Sequence, residues 1–320
     1  MQNNIWYDTF LEAIRERFPK KSQMTRELIN LLCLEREAVY RRLRKTVPFL
    51  AHEVVKIADA WNISLDEITG IKTGEVLFQM QPFNYLDPSK QEFANMQKRV
   101  RSLDHLPASA ASEYMEASNK IPRPLIINFH TLYRFRIFNW ASQYNNDTRR
   151  REFSKIVIPE MVLPEFVRYK KNMTHVKNSH YIFDKGMFDY MVSSTQYFHS
   201  ILLITDKEKA LIKQELHKLL DYLLDIANNG CYPETQNKVT MYISQLNIDT
   251  NYSYMYSDKM KACRVHAFGK FDVTTFNSEM VAHFKNWMNL KRRSSIQISE
   301  VNEQKRIAYF AKQRELVDTL

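Results

Sequence analysis

The 320-residue chain contains little glycine, with five residues in all where about 7% is the average share. Glycine supplies the positive-φ positions that tight hairpins and phosphate-binding loops require, so its scarcity disfavours large β-sandwiches and barrels and favours helices. No placement of the five makes a G-x-G-x-x-G or a G-x-x-x-x-G-K-[ST] motif, which excludes the nucleotide-binding enzymes of those two kinds. The five are Gly70, Gly74, Gly186, Gly230 and Gly269.

Cysteine and long apolar runs are also scarce. The three cysteines lie far apart in the sequence, an odd and sparse number that favours a reducing cytoplasm over a disulfide scaffold. No apolar run approaches the roughly 18–20 residues that span a bilayer, and the first residues lack a basic stretch followed by an apolar one. We therefore expect a cytoplasmic protein with no membrane partner. Hydrophobic residues make up 44% of the chain, which is enough to build a core.

Positive charge is in excess, with a net +10 and a pI of about 9.3. Such an excess suggests a polyanionic partner, most simply nucleic acid. The excess does not lie at the N-terminus, because residues 1–70 carry 11 Lys and Arg against 10 Asp and Glu, whereas residues 131–190 and 251–320 each carry a net +5. A DNA-binding function of the N-terminal region must therefore depend on local clustering of cations.

The first seventy residues are predicted to form five short helices. Apolar residues recur at helical spacing, and a turn of three to four residues separates the second helix from the third. Ser64 and Glu67 have the spacing of a capping box at the start of the fifth helix. This pattern is typical of a helix-turn-helix domain over residues 1–70. The predicted helices cover about 7–18, 22–32, 36–45, 52–61 and 64–70.

Within this region, residues 25–44 (TRELINLLCLEREAVYRRLR) and 57–68 (IADAWNISLDEI) resemble the lambda-repressor-like (Xre-type) DNA-binding domain. The resemblance implies a sequence-specific transcriptional regulator that binds double-stranded DNA as a homodimer, through a recognition helix at about 36–45. The family usually has glycine in the turn, where this chain has Cys33. A non-glycine residue held at positive φ costs about 1 kcal/mol, so we expect a strained or altered turn.

The outward side of the third predicted helix carries residue types that read DNA. Arginine can bond guanine through two hydrogen bonds, and glutamate can accept one from cytosine. We therefore assign base contacts to Arg36, Glu37, Tyr40 and Arg41. The predicted phosphate contacts are Lys20, Lys21, Gln23, Arg44 and Lys45. Two alternatives stay open: a merely solvated basic helix face, and a protein–protein interaction adaptor or small-molecule sensor whose helix-turn-helix domain does not bind DNA.

The rest of the chain is interpreted as three regions, and the whole is predicted to be mainly α. Residues 71–88 form a linker, in which 71–82 can also be a short strand because Val76, Phe78 and Met80 alternate. Residues 89–232 form a helical regulatory and dimerisation region, and residues 233–320 an α+β region with a small antiparallel sheet backed by helices. The helix candidates are 89–102, 109–119, 124–145, 162–178, 185–204 and 206–228.

Two local signals place elements in these regions. Thr205 and Glu208 form a capping box before the last helix candidate, which stops at Gly230. Gly269 and Lys270 are predicted to turn a hairpin between two strands. The region 71–320 is similar to the C-terminal portion of uncharacterised bacterial regulators, a similarity that implies no ligand or activity.

No group of residues forms a catalytic constellation. His52 and Glu53 begin a zinc-peptidase pattern, but Lys56 stands where the second histidine ligand belongs. Cys263 and His266 have a metal-like spacing, yet a zinc site needs two further ligands from elsewhere in the chain. There is no G-x-S-x-G serine elbow either. We therefore expect a protein that is not an enzyme and holds no metal or cofactor.

The C-terminal strands offer the best candidate for an anionic small-molecule effector site. Aromatic and cationic side chains there can bind an anion by stacking and by paired hydrogen bonds. The alternative, which we favour, is that the tyrosines pack against flanking helices and that the basic residues 291–293 cap a helix C-terminus. The candidate ligand residues are Tyr252, Tyr254, Arg264, His266, Arg292 and Arg293.

Overall fold

The computed structural model describes residues 5–18, 20–61, 63–69, 76–80, 88–144, 152–267 and 271–320. They divide into two compact units, one within residues 1–75 and the other within residues 76–320. The described residues are mainly helical and form a mixed eight-stranded sheet, which confirms the predicted mainly α class. The predicted helix stop at Gly70 and the hairpin turn at Gly269 and Lys270 lie outside the described residues.

The first unit is built from short helices that share one core. Helix α2 packs against α3 and α4, and α1 packs against α2 and α5. Phe10 and Leu28 are fully buried in this core, where each large apolar side chain contributes about 1.5–3 kcal/mol. The helices are α1 (Ile5–Glu16), α2 (Lys21–Leu32), α3 (Arg36–Leu43), α4 (Ala51–Trp61) and α5 (Leu65–Thr69).

The second unit alternates helices with the strands of the sheet. Its helices are α6 (Pro88–Leu103), α7 (Arg123–Ile126), α8 (His130–Tyr144), α9 (Leu163–Thr174), α10 (Asp189–Ser200), α11 (Asp206–Asn229), α12 (Ser278–Arg293) and α13 (Glu303–Asp318). Its strands are β1 (Gln79–Met80), β2 (Glu113–Ser118), β3 (Asn178–Phe183), β4 (Lys238–Ser244), β5 (Tyr252–Ser257), β6 (Met260–Ala267), β7 (Phe271–Thr275) and β8 (Ser295–Gln297).

The sheet has the strand order β1-β7-β6-β5-β2-β3-β4-β8. Strands β2, β3 and β4 are parallel, and the chain between them forms α7 to α9 and then α10 and α11, as parallel strands require a long crossover. Strands β5, β6 and β7 continue as an antiparallel meander, and β1 and β8 add antiparallel edges. Three layers result, with helices on both faces of the sheet.

The two faces of the sheet bury different sets of side chains. On one face, α12 covers Tyr254 and Cys263 with Phe284. On the other face, α6 to α11 and α13 bury the larger apolar cluster, which includes Tyr181 and Met255. Strand β2 lies at the centre of the sheet, so its side chains are buried on both faces.

Two features of the sheet overturn predictions made from the sequence. Residues 109–119 were expected to form a helix, but residues 113–118 form β2. The small antiparallel C-terminal sheet is in fact a larger mixed sheet, because β2 and β3 come from the predicted helical region. The segment EYMEAS favours a helix by composition, and burial between two strands overrides that preference. Within the segment predicted as a linker or short strand, Gln79–Met80 form β1, which pairs with β7.

Helix α11 confirms the local signals predicted for it. The Thr205 side chain accepts a hydrogen bond from the Glu208 amide, and the Glu208 carboxylate accepts one from the Thr205 amide at 2.9 Å. Gly230 ends the helix in the left-handed region at φ 68°. Among the described residues, no helix is both long and apolar enough to cross a membrane.

Candidate functional site

The turn between α2 and α3 depends on a left-handed residue. Cys33 ends α2 with φ 53° and ψ 42°, the conformation that usually calls for glycine. Leu34 and Glu35 follow, and α3 then begins at Arg36. The expected positive φ at this cysteine is therefore present, and it sets the direction in which α3 leaves α2.

A buried ion pair fixes α3 against α4. The Arg42 guanidinium donates to both carboxylate oxygens of Glu53, with Nε–Oε2 and Nη2–Oε1 distances of 2.7 and 2.8 Å. The same carboxylate accepts from the amide of Leu50, the residue just before α4, at 2.8 Å. Burial raises the pKa of Glu53, but the hydrogen bonds from Arg42 and Leu50 outweigh it, and the net pKa is lowered. Both members of the pair are therefore charged at neutral pH, and the pair holds α3 against α4.

The opposite side of α3 is left to solvent. Arg36, Glu37 and Arg41 are exposed, and Tyr40 is half-buried between them. Arg36 Nη2 donates to the Tyr40 hydroxyl at 3.3 Å, and the Arg36 and Arg44 guanidinium carbons lie 5.5 and 5.6 Å from the centre of the Tyr40 ring. The Arg36 hydrogen bond lowers the pKa of Tyr40. All four predicted base-contact residues thus share one exposed, cationic surface.

The predicted phosphate contacts fall into two groups. Lys20, Lys21 and Gln23 are exposed around the first turn of α2, where amide groups favour an anion. Arg44 is exposed just after α3 and extends the cationic surface. Lys45 is half-exposed but is ion-paired with Asp8 of α1, so a phosphate would have to compete with that carboxylate.

The predicted effector site in the sheet does not form. Tyr252 of β5 pairs with Val265 of β6 in the antiparallel register. Arg264 is the neighbour of Val265, so its side chain points to the face of the sheet opposite to Tyr252. Because side chains alternate along a strand, Tyr252 and Tyr254 point to one face of the sheet, and Arg264 and His266 point to the other. The six residues therefore cannot surround one ligand.

The tyrosines of this set pack against α12, as the favoured alternative proposed. The ring centres of Tyr252 and Trp287 are 4.8 Å apart, and Tyr254 is buried in the same cluster. Arg292 and Arg293 lie in the last turn of α12, where a helix favours cations. The charge of Arg292 contributes to the lowered pKa of His180, which is about 4 and is lowered first by burial. Arg292 thus lies on the α12 side of the sheet.

Arg264 and His266 join a buried ionic cluster on the other face. At its centre, the Asp272 carboxylate lies 3.0 Å from Arg99 Nη2, 3.4 Å from Arg123 Nη1 and 3.0 Å from His266 Nδ1. Burial raises the pKa of Asp272, but the two arginines and the histidine outweigh it and hold the pKa well below its usual range. Arg264 donates to Thr274 at 3.2 Å beside this group.

A second carboxylate in this region behaves differently. The Tyr114 hydroxyl donates to Glu116 at 2.5 Å on the central strand β2, and both residues are buried. Burial raises the pKa of Glu116 to about 7, against the opposing effects of the Tyr114 hydrogen bond and the Arg136 charge. Glu116 is therefore near half-protonation at neutral pH, whereas Asp272 is charged.

Sequence reasoning did not single out Arg99, Arg123, Glu116 or Asp272. Arg99 and Asp272 are 173 residues apart, so no local spacing signals their contact. Among the described residues, no group of three or more His, Cys, Asp or Glu side chains is arranged to hold a metal ion. No protein family, curated protein or solved structure matches the chain.

Proposed function

We propose that the chain is a sequence-specific DNA-binding transcriptional regulator with a lambda-repressor-like helix-turn-helix domain in its first seventy residues. The exposed surface of α3, formed by Arg36, Glu37, Tyr40 and Arg41, carries this proposal. This surface follows a turn with a left-handed residue at Cys33, and it lies on a helix whose other side is buried.

The chemistry of α3 suits readout in the major groove. An arginine that donates two hydrogen bonds to guanine is the commonest base-specific contact, and Glu37 can accept from cytosine. The Arg42–Glu53 pair supports this role, because a reading helix must keep its position while its exposed side chains bind. The cations at the first turn of α2 are suited to the phosphate backbone, which positions a protein without selecting sequence.

Such a domain is expected to act as a homodimer on double-stranded DNA. One domain buries a modest interface, and specific affinity normally comes from two copies on half-sites about one helical turn apart. We assign oligomerisation or effector sensing to the second unit. A palindromic operator is the corresponding expectation for the DNA.

Selection of bound sequences from random DNA, followed by binding measurements with single variants, tests the proposal. Arg36→Ala and Arg41→Ala should weaken binding to the selected site by about tenfold or more and change binding to random DNA little. Lys20→Ala should weaken both alike and reduce the salt dependence of binding. Arg26→Ala is a matched control, because Arg26 is an exposed arginine of α2 that pairs with Glu27 at 3.8 Å.

Two results would overturn the proposal. Equal losses on selected and random DNA for all three variants would remove the reading role of α3. Failure to enrich any sequence would favour the alternative function, a protein–protein interaction adaptor. That alternative is favoured by one observation, the near balance of 11 basic and 10 acidic residues in residues 1–70. A steep loss of DNA affinity with rising salt would count against it.

A further inference from the structure

A cavity opens in the second unit between α8, α10 and residues 120–126. The space it outlines is about 540 Å³, a value that includes open solvent at its mouth. It is distinct from the predicted effector residues of β5 and β6, none of which lines it.

Two cations line this cavity, and neither has a carboxylate partner among the described residues. Arg136 donates one hydrogen bond, from Nη1 to the Ile121 carbonyl at 3.3 Å, and forms no ion pair. The Lys120 ammonium lies 4.2 Å from the centre of the Tyr190 ring and also forms no ion pair. Each is half-buried, and taking an unpaired charge out of water carries a large free-energy cost.

The neighbouring carboxylates do not remove this excess of positive charge. Asp272 and Glu116 act on Arg136 through charge alone. Asp272 is already bonded to Arg99, Arg123 and His266, and Glu116 is close to half-protonated at neutral pH. Burial and the charge of Arg123 lower the pKa of Arg136, and burial and the charge of Arg136 lower that of Lys120. An anion between Arg136 and Lys120 would be stabilised by both.

The remaining wall of the cavity is largely apolar and aromatic. Phe135 and Trp140 line it together with isoleucine and methionine side chains, and no acidic residue is among the lining. The Tyr190 hydroxyl donates to the Asn139 side-chain oxygen at 3.1 Å, which fixes the orientation of the Tyr190 ring in the wall. Aromatic rings and polarizable thioethers adapt to planar ligands.

We infer that this cavity binds a small organic carboxylate with an aromatic body, whose carboxylate lies between Arg136 and Lys120. The inference does not depend on DNA binding, because every contact comes from the second unit. It replaces the effector residues predicted from the sequence with a different set.

The test measures binding to the full chain without DNA, with 2-naphthoate, indole-3-acetate and benzoate as probes and their neutral amides as controls. The acids should raise the melting temperature and change the tryptophan fluorescence, and the amides should bind about tenfold more weakly. Arg136→Gln should weaken binding of the acids by about tenfold, and Lys120→Gln by a smaller factor. Trp140→Phe should remove most of the fluorescence change and keep the thermal shift.

Lys261→Gln is the matched control, because Lys261 also lies over a tyrosine ring, 5.7 Å from the centre of Tyr256, but outside the cavity. It should bind the acids as the unaltered protein does. The inference is overturned if no acid shifts the melting temperature at millimolar concentration, or if acids and amides bind equally. It is also overturned if Arg136→Gln keeps full affinity. Should Arg136→Gln fail to fold, Lys120→Gln decides by the same criterion.

Discussion

Two groups of arginines, one in each unit of the chain, have opposite environments. In the first unit, Arg36, Arg41 and Arg44 extend into solvent from α3 and its C-terminal end. In the second unit, Arg99 and Arg123 are more than nine-tenths buried and bonded to one carboxylate, Asp272. Exposed arginines add little to stability and stay available to a partner, whereas buried ones are committed to the fold.

This difference explains why the net charge of a segment does not show which of its cations a partner could reach. Residues 251–320 carry a net +5 but include Arg264, which is bonded to Thr274 beside the buried cluster. Residues 1–70 are nearly neutral, yet Arg36, Arg41 and Arg44 reach solvent together on α3 and just after it. What matters for a polyanionic partner is which cations reach solvent together, and a sum over a segment does not contain that information.

The largest expected effect comes from removing the charge of a buried carboxylate in each unit. Asp272→Asn leaves Arg99 and Arg123 buried without a charged partner and should lower the free energy of unfolding of the second unit by about 3–5 kcal/mol. Glu53→Gln should cost the first unit less, about 2 kcal/mol, because it has one arginine partner instead of two. Urea unfolding measures both values.

The two units need separate signals in this experiment. Replacing Trp6 and Trp61 by Phe leaves the fluorescence of Trp140 and Trp287 to report the second unit, and the reverse pair reports the first. Asp318→Asn is the control, since Asp318 is exposed and bonded to Lys213 and His217, and it should cost less than about 1 kcal/mol. Equal losses of unfolding free energy for Asp272→Asn and Asp318→Asn would mean that the buried Arg99 and Arg123 do not need Asp272 as a charged partner.

A smaller effect, which depends on pH, is expected at Glu116. Its folded pKa of about 7 lies above the value of about 4.5 for an unfolded glutamate, so the folded state binds more protons between these values. The contribution of Glu116 to the free energy of unfolding is therefore fully present below pH 4.5 and is lost as the pH rises through 7. Across this pH range the protein should lose on the order of 3 kcal/mol of unfolding free energy relative to Glu116→Gln, a variant that keeps an acceptor for Tyr114.

The measurement is the difference in unfolding free energy between the protein and Glu116→Gln from pH 5 to pH 8.5. The difference should change in favour of the glutamine variant as the pH rises. Asp272 does not confuse this comparison, because its lowered pKa places its own stability loss at acidic pH, below the range. A difference that stays constant with pH would show that Glu116 remains charged in the folded protein.

The sequence predicted the elements whose signals are local. Both ends of α11 were predicted, its start from the Thr205–Glu208 capping box and its end from Gly230. The apolar spacing of residues 7–61 predicted helices where the structure has them. Strand β2 was missed because its residues favour a helix until neighbouring strands pair with them. Its partners β3 and β5 lie far along the chain, and no window of sequence contains them.

The candidate sites differ in the same way. The exposed residues of α3 follow from one helical period, so sequence alone could place Arg36, Tyr40 and Arg41 on one side. The effector residues required the register between β5 and β6, and an error of one residue moves a side chain to the other face. Arg136 and Lys120, which line the cavity, come together only through the packing of α8, and nothing in their spacing predicts it.

The smallest expected effect concerns the turn that directs α3. Cys33 holds φ at 53°, which strains a residue with a Cβ atom, so Cys33→Gly should relieve that strain at some cost in unfolded-chain entropy. We expect a net gain of about 0.5–1 kcal/mol in the unfolding free energy of the first unit, with no loss of the DNA affinity that we propose for it. Cys33→Ser keeps the Cβ atom and should leave stability unchanged, which separates backbone strain from the chemistry of the thiol. A glycine variant less stable than the serine variant would mean that the turn carries no strain, and that the cysteine stabilises it.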